Sequence, residues 1–248
     1  MSGLCPPPSM YHFLEYRITD YRSIYKLQKS IVNAKIEDKE LSNIIIILEH
    51  LPVYTLGKNA VTNNILPHDI SIDQNNLNHM NIPVVKIERG GDVTYHGPGQ
   101  LIAYPIINLK KHSTGIKSFV ISLEDIMIKT AEYFGVKATR NSLNHGIWVK
   151  NRKLGSIGIA VKKDITFHGL ALNVNNNLSN FNYINPCGLK GIGITSIEKE
   201  CGTLVSINKA REIIKKSFRE VFNVEIKDIL PGQIEDKIIN EDKIETAK

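Results

Sequence analysis

The densest group of chemically useful residues is the segment RGGDVTYHGPGQ, which runs from Arg89 to Gln100. Its four glycines let the backbone approach a ligand closely or adopt positive φ angles. Arg89, Tyr95 and His96 add a cation, a phenol and an imidazole to the same stretch. The spacing is neither that of a P-loop, because GK[ST] is absent, nor that of a Rossmann turn, because a strand follows. A ligand-binding loop and a purely structural turn both remain open from these residues.

A second group of candidates is split between two segments. Lys153 opens KLGSIGIAV, where Gly155, Ser156 and Gly158 sit inside a strand pattern that glycine weakens unless a ligand or another backbone comes close. Cys187 follows 34 residues later in NPCG, on a turn sequence that is less typical of inert core filler. Most lone cysteines are structural, so the residue types alone leave a nucleophile and an incidental thiol open.

Metal and serine-nucleophile chemistry find no support in the sequence. Cys187 and Cys201 are separated by thirteen residues without a CxxC or HxxxH pattern, and the eight histidines are scattered. The nucleophile motif GxSxG is also absent. Three unevenly spaced cysteines, with Cys5 in a proline-rich end, exclude a disulfide framework and favour a reducing compartment. We therefore expect a cytoplasmic protein without a bound metal.

Taken in order, these segments resemble the octanoyltransferases of lipoate synthesis. RGGDVTYHGPGQ, LIAYP, HGIWV, KLGSIGIAV, GLALNV and NPCG carry the resemblance, which covers about Leu48 to Ile197. It implies transfer of an octanoyl group from octanoyl-acyl carrier protein to a lysine of a lipoyl domain, without ATP or another cofactor. The acceptors would be the E2 subunits of 2-oxoacid dehydrogenases or the glycine cleavage H protein. The implied fold is that of biotin and lipoate protein ligases: α+β, with a mixed, largely antiparallel sheet flanked by helices.

The resemblance also implies roles for individual residues. Cys187 would be the acyl-thioester nucleophile and Lys153 its acid/base partner. The implied substrate-binding residues form three runs: Arg89, Gly90, Gly91, Asp92, Val93, Thr94, Tyr95 and His96; Ser156, Ile157 and Gly158; and Gly169, Leu170 and Ala171.

The pairing of Cys187 with Lys153 suits nucleophilic catalysis by a thiol. A free thiol is only about 3% thiolate at pH 7. An ammonium about 4 Å away attracts a thiolate by about 4 kcal/mol at an effective dielectric of about 20, less the cost of desolvation. We therefore expect a ping-pong reaction. Backbone N–H groups at the proposed turn of Ser156 to Gly158 are candidates for the oxyanion hole.

Alternatives of the same fold are an ATP-dependent lipoate or biotin ligase, which needs no nucleophilic cysteine, and a lipoyl amidotransferase. From another class, the net charge of +6 and pI of about 9.1 suggest a nucleic-acid-binding module. Against that module, aromatic residues are only 7% of the chain and no RNP, KH, zinc-finger or helix-turn-helix pattern occurs. We instead expect the basic residues Lys150, Arg152, Lys162 and Lys163 to dock acidic carrier proteins or lipoyl domains.

The elements that must position these residues follow from hydrophobic periodicity. Helices are predicted after the capping Asp20, over 117–134, and from about Ser206 to Phe222. Strands are predicted over 44–48, 83–88, 101–109, 145–149, 155–161 and 165–174, and Pro105 marks its strand as an edge or a bulge. Residues 59–81 are predicted to form a long surface connection.

The domain organisation follows from length and composition. The 248 residues suit one catalytic domain over 1–231, followed by a charged tail over 232–248 that holds eight charges and no aromatic residue. No apolar run approaches the ~18–20 residues that span a bilayer, and no signal peptide pattern begins the chain. We expect a monomer that binds neither membrane nor nucleic acid.

Overall fold

The computed structural model describes residues 10–61, 64–66, 76–77, 82–111, 114–142, 144–189 and 191–234. The helices named below are α1 (Tyr21–Glu37), α2 (Ile116–Tyr133), α3 (Ile197–Cys201) and α4 (Ile207–Phe222). The strands are β1 (Tyr11–Thr19), β2 (Asn43–His50), β3 (Val53–Leu56), β4 (Asn76–Leu77), β5 (Ile82–Lys86), β6 (Val93–His96), β7 (Gln100–Ile106), β8 (Gly146–Val149), β9 (Arg152–Lys162), β10 (Ile165–Asn173), β11 (Gly193–Ile194) and β12 (Ile226–Ile229).

The strands in this part of the chain form two sheets. The larger sheet has the order β11–β9–β10–β7–β2–β1–β12, with β8 also paired to β9. Its pairings β1/β2, β1/β12 and β9/β11 are parallel, and the other four are antiparallel. The smaller sheet has the order β4–β5–β3–β6. The predicted mixed sheet is therefore confirmed, whereas the second sheet was not foreseen.

The large sheet is covered by helices on both faces, which is why β2 is buried along its whole length. Side chains alternate across a strand, so Ile45 and Ile47 pack in the cluster that contains α2 and α4. Ile44 and Ile46 pack on the opposite face, together with residues of α1. The run IIIIL is thus a doubly buried strand, as its composition predicts.

The predicted helices are confirmed within one or two residues at each end. Asp20 caps α1 by accepting a hydrogen bond from the Ser23 backbone N–H at 2.9 Å, and Ser206 caps α4 by accepting one from the Lys209 N–H at 3.4 Å. The strands predicted over 155–161 and 165–174 are confirmed as β9 and β10. Within the predicted connection and tail, residues 62–63, 67–75, 78–81 and 235–248 lie outside the described residues.

Pro105 was predicted to mark an edge or a bulge: the edge is wrong, and the pairing of β7 with β2 stays in register through Pro105 without a bulge. β7 is central, between β10 and β2, and Pro105 has no N–H to offer to either neighbour. Next to it, His168 of β10 adopts a φ of 55°, and its N–H donates to Gln28 Oε1 of α1 at 2.7 Å. A Cβ on the following Gly169 would collide with the Ala103 carbonyl. This distortion shapes one wall of the cleft described next.

Candidate active site

A cleft runs along β9 and β10, beneath the glycine-rich segment that follows β5. It encloses about 490 Å³ of empty space, including its open mouth. Ser156, Ile157 and Gly158 of β9 form its floor together with the paired residues of β10. The glycine-rich segment lies so close above that a Cβ on Gly158 would come within 3.0 Å of Arg89 Cδ and of the Gly90 carbonyl. A side chain at this position would therefore push the glycine-rich segment outward by a few tenths of an ångström.

Lys153 and Cys187 meet at one end of this cleft. Lys153 Nζ lies 3.4 Å from Cys187 Sγ and donates to Asn144 Oδ1 at 3.0 Å. It also lies 5.1 Å from the centre of the Trp148 ring, where a cation is attracted to the π face. Lys153 is 1% exposed, whereas Cys187 is only partly buried and stays open to the cleft. Asn144 and Trp148 therefore hold the ammonium of Lys153 in place, and the thiol of Cys187 that it faces remains accessible to a substrate.

Cys187 is presented by a strained turn. Its φ of 57° lies in the left-handed region, which costs about 1–2 kcal/mol for a residue that has a Cβ. The next residue, Gly188, has a φ of 74°, and a Cβ there would approach Asp92 Oδ2 to 2.8 Å. Asn64 links Asp92 to the segment that precedes Cys187. Its side-chain amide donates to Asp92 Oδ2 at 2.5 Å, and its backbone carbonyl accepts the Asn185 N–H at 2.7 Å. Asp92 therefore braces the turn that carries the thiol.

Arg89 holds the glycine-rich segment in place. Its guanidinium donates to the Thr55 carbonyl at 2.7 Å, to Thr55 Oγ1 at 2.9 Å and to the Gly90 carbonyl at 3.0 Å. Burial lowers the pKa of Arg89, while the nearby charge of Cys187 opposes that shift. The side chain is thus a buried cation that faces the cleft and the sulfur, in addition to being a structural clamp.

Three buried histidines, His50, His96 and His168, lie in or behind the wall of the cleft. Gln100 donates its amide to Asn173 Oδ1 at 2.9 Å, so its Oε1 accepts from His96 Nδ1 at 2.8 Å, and Nε2 of His96 is left unprotonated. Burial lowers the pKa of His96 to about 3 and that of His50 to about 4. Burial also lowers the pKa of His168, against the opposing charge of Glu88. His50 and His96 are therefore uncharged near neutral pH, each with a single ring proton.

The structure brings most of the predicted residues together around the cleft. Those that line it are Arg89, Gly90, Gly91, Thr94, His96, Ser156, Ile157, Gly158, Gly169, Leu170, Ala171 and Cys187, with Lys153 behind the sulfur. Val93 and Tyr95 do not line it, because side chains alternate along β6 and these two point into the apolar cluster around Tyr54 and Phe181. Asp92 does not line it either and acts on the Cys187 turn instead.

Sequence reasoning missed four lining residues: Tyr21, Tyr104, Asn144 and His168. Each comes from a different segment, and none was assigned a role, although Tyr104 lies in LIAYP, one of the segments that carry the resemblance. His168 directly precedes the predicted run Gly169 to Ala171.

One finer expectation is wrong. Ser156 to Gly158 do not form a turn: they lie inside β9, in register with Ala171 to Gly169 of β10. The proposed docking role of the four basic residues stays a prediction, and Lys162 and Lys163 lie at the opposite end of β9 from Arg152, roughly 30 Å away. Arg152 is moreover engaged by Glu200, with Nη2 2.8 Å from Oε2.

Two other kinds of feature are absent from the described residues. No group of three or more His, Cys, Asp and Glu side chains is placed to hold a metal ion there. No helix in the same residues is both long and apolar enough to cross a membrane.

Comparisons with known proteins agree on one family. Residues 20–219 match the family model described as the lipoyl protein ligase A/B catalytic domain. The octanoyltransferase of Alkaliphilus metalliredigens is 40% identical over 208 residues, which cover 84% of this chain and 93% of that protein. The octanoyltransferase of Desulforamulus reducens is 38% identical over 223 residues, covering 90% and 93% respectively.

Among solved structures, a lipoate-protein ligase A bound with ATP superposes with a TM-score of 0.70 at 15% identity, covering 94% of this chain and 93% of that one. A protein from T. acidophilum, described as a putative lipoate protein ligase, gives a TM-score of 0.69 at 14% identity, covering 94% and 93%. At this identity the likeness establishes the fold, which confirms the predicted lipoate-ligase architecture.

Proposed function

The chain belongs to the lipoyl protein ligase A/B catalytic domain family, and we propose that it is an acyltransferase that moves an octanoyl group onto a lipoyl-domain lysine. The relatives that are about 40% identical over most of their length are octanoyltransferases, which favours that activity over ligation. The observation that carries the mechanism is the 3.4 Å contact between Lys153 Nζ and Cys187 Sγ at the end of the cleft. An enzyme that activates a free acid with ATP has no use for a cysteine nucleophile at this point.

In the first half-reaction, the Cys187 thiolate attacks the carbonyl carbon of the octanoyl thioester on an acyl carrier protein. The carbon–sulfur bond to the carrier's thiol breaks as the acyl–Cys187 bond forms. Lys153 gives its proton to the departing thiolate and becomes a neutral amine. The products are an octanoyl-Cys187 thioester and a free carrier thiol.

In the second half-reaction, the amine of the acceptor lysine attacks the acyl-Cys187 carbonyl. Lys153 takes one proton from the attacking nitrogen, and Cys187 leaves as a thiolate. The amide is formed and the starting thiolate–ammonium pair is restored, so the cycle consumes no other reactant. The buried position of Lys153, held by Asn144, supports this role because the same nitrogen must face the sulfur in both halves.

The cleft suits an apolar acyl chain. Beyond the sulfur its walls include Ile157, Leu170 and Ala171, and burial of each methylene of a bound chain is worth about 0.8 kcal/mol. We propose that the catalytic domain 1–231 acts as a monomer. The donor is proposed to be octanoyl-acyl carrier protein, and the acceptors are lipoyl domains of 2-oxoacid dehydrogenases or the glycine cleavage H protein.

The experiment that tests this function is octanoyl transfer to a purified lipoyl domain, with octanoyl-acyl carrier protein as donor and without ATP. We expect the acceptor to gain one octanoyl group with the wild type and none with Cys187→Ala. Cys201→Ala is the matched control, because that cysteine lies at the end of α3 and does not line the cleft. Modification that requires free octanoate and ATP would instead identify a ligase.

A further inference from the structure

The end of the cleft that lies away from the sulfur is closed by aromatic side chains. The stretch of β9 that lines the cleft begins at Ser156, and Ile159 lies three residues farther along, roughly 10 Å away and paired with His168 of β10. His168 lines the cleft together with Tyr104 and Tyr21, the first residue of α1. An acyl chain attached to Cys187 would therefore run along β9 and β10 toward this aromatic end.

Tyr21 is fixed in position at that end. Its ring stacks on His96 with an interplanar angle of 5° and a centroid distance of 6.2 Å, and it lies 4.9 Å from the His50 ring. The residue is 3% exposed and packs with Val53 and Ile87. Because Tyr21 is held by these neighbours, it forms a firm wall for the cleft.

A second cavity lies beyond Tyr21. This outer groove encloses about 880 Å³, including space open to solvent. It is lined mainly by the apolar residues Leu51, Pro52, Val53, Ile82 and Pro83, and the polar residues Asp20 and Asn180 also line it. Among the described residues, Tyr21 is the single side chain that lines both the cleft and the outer groove. An apolar groove behind one aromatic wall could take the methylenes of a longer chain if that wall were removed.

We propose that Tyr21 sets the upper limit of acyl-chain length by closing the cleft off from the outer groove. This inference rests on the proposed acyltransferase function and specifies its substrate class: chains of about eight carbons are accepted, and dodecanoyl chains are rejected because their last methylenes meet the Tyr21 ring. Tyr21 touches the acyl chain and takes no part in proton transfer, so it determines specificity and not reactivity.

The test compares octanoyl- and dodecanoyl-acyl carrier protein as donors, and measures the ratio of their kcat/KM values for Cys187 acylation by intact-protein mass. In Tyr21→Ala we expect the dodecanoyl/octanoyl ratio to rise at least tenfold. A dodecanoyl chain has four methylenes more than an octanoyl chain, and burial of each can raise the ratio about fourfold. The upper limit of the rise in the ratio is therefore about 200-fold. Tyr21→Phe keeps the ring and should leave the ratio at its wild-type value.

A further variant tests whether the last methylenes of the dodecanoyl chain enter the outer groove. Leu51 lines the outer groove but not the cleft and is half exposed, so Leu51→Glu should leave octanoyl transfer unchanged. Combined with Tyr21→Ala, it should abolish the gain with dodecanoyl donor. If Tyr21→Ala fails to fold, Tyr21→Leu fills the core while shortening the wall and should raise the ratio in the same direction.

An unchanged ratio in folded Tyr21→Ala or Tyr21→Leu protein would overturn the inference, as would a gain that Leu51→Glu does not remove. Absence of octanoyl transfer by the wild type would refute the proposed function itself, and is recognised before any ratio is compared.

Discussion

Replacing Lys153 with methionine removes the ammonium beside the sulfur while keeping an unbranched side chain in a site that is 1% exposed. At 3.4 Å and an effective dielectric of about 20, the attraction between a thiolate and this ammonium is about 5 kcal/mol. Desolvation of both groups cancels part of it, and a hydrogen bond to a charged group is worth about 1.5–3 kcal/mol net. The reactivity of the Cys187 sulfur should therefore fall about 10- to 150-fold in Lys153→Met.

The assay is alkylation by iodoacetamide at pH 7, with peptide mapping to separate Cys187 from Cys201. Since the thiolate is the reactive form, the alkylation rate of Cys187 should fall by the same factor. Octanoyl transfer should fall further, by about 10²–10⁴, because the variant also lacks the proton donor. Lys162→Met is the matched control, since this exposed lysine lies at the opposite end of β9. A folded Lys153→Met protein alkylated within twofold of the wild-type rate would refute the thiolate–ammonium pair.

Three further predictions concern other parts of the cleft. Burial holds the pKa of His50 at about 4 and that of His96 at about 3, below the usual 6.5, so each contributes stability that is complete above pH 6.5 and is lost as the pH falls toward those values. Urea unfolding should show a loss of about 2 kcal/mol per histidine between pH 6.5 and 5, and His50→Gln should remove about half of this slope; an unaltered slope would show that other groups cause it. Gly169→Ala should unfold the protein or abolish transfer, because its Cβ collides with the Ala103 carbonyl, whereas Gly158→Ala should fold and mainly raise KM for the octanoyl donor; equal effects would contradict the cleft geometry. Asn144→Leu removes the acceptor at 3.0 Å from Lys153 Nζ and should reduce kcat about tenfold at unchanged melting temperature, with activity retained in Asn144→Asp; full activity in Asn144→Leu would show that Lys153 is positioned without it.

The helices and central strands were accessible from the sequence because their signals are local. Asp20 and Ser206 cap helices whose apolar residues recur at helical spacing, and the run from Ile44 to Leu48 is β-branched and continuous. β1 was missed because its residues Tyr11–Thr19 mix charged and aromatic side chains, and its burial depends on pairing with β2 and β12. Pro105 was interpreted as the mark of an edge or a bulge because the distortion at His168 that accompanies it lies 63 residues away in the sequence.

The reacting residues of the site could be predicted from the sequence, but several of the side chains that close the cleft could not. The resemblance supplied Cys187, Lys153 and the glycine-rich segment, but it treated Arg89 to His96 as one binding run. The alternation of β6 divides that run, so that Thr94 and His96 face the cleft and Val93 and Tyr95 face the core. Tyr21 and Tyr104 could not be found in this way, because they reach the cleft only when α1 and β7 pack around it.

Intact-protein mass after mixing with octanoyl-acyl carrier protein, in the absence of ATP, tests the covalent mechanism most directly. The predicted result is a gain of one octanoyl group that hydroxylamine removes, that is absent in Cys187→Ala, and that passes to a lipoyl domain when one is added. The contradicting result is an unmodified protein that nevertheless octanoylates the acceptor once free octanoate and ATP are supplied.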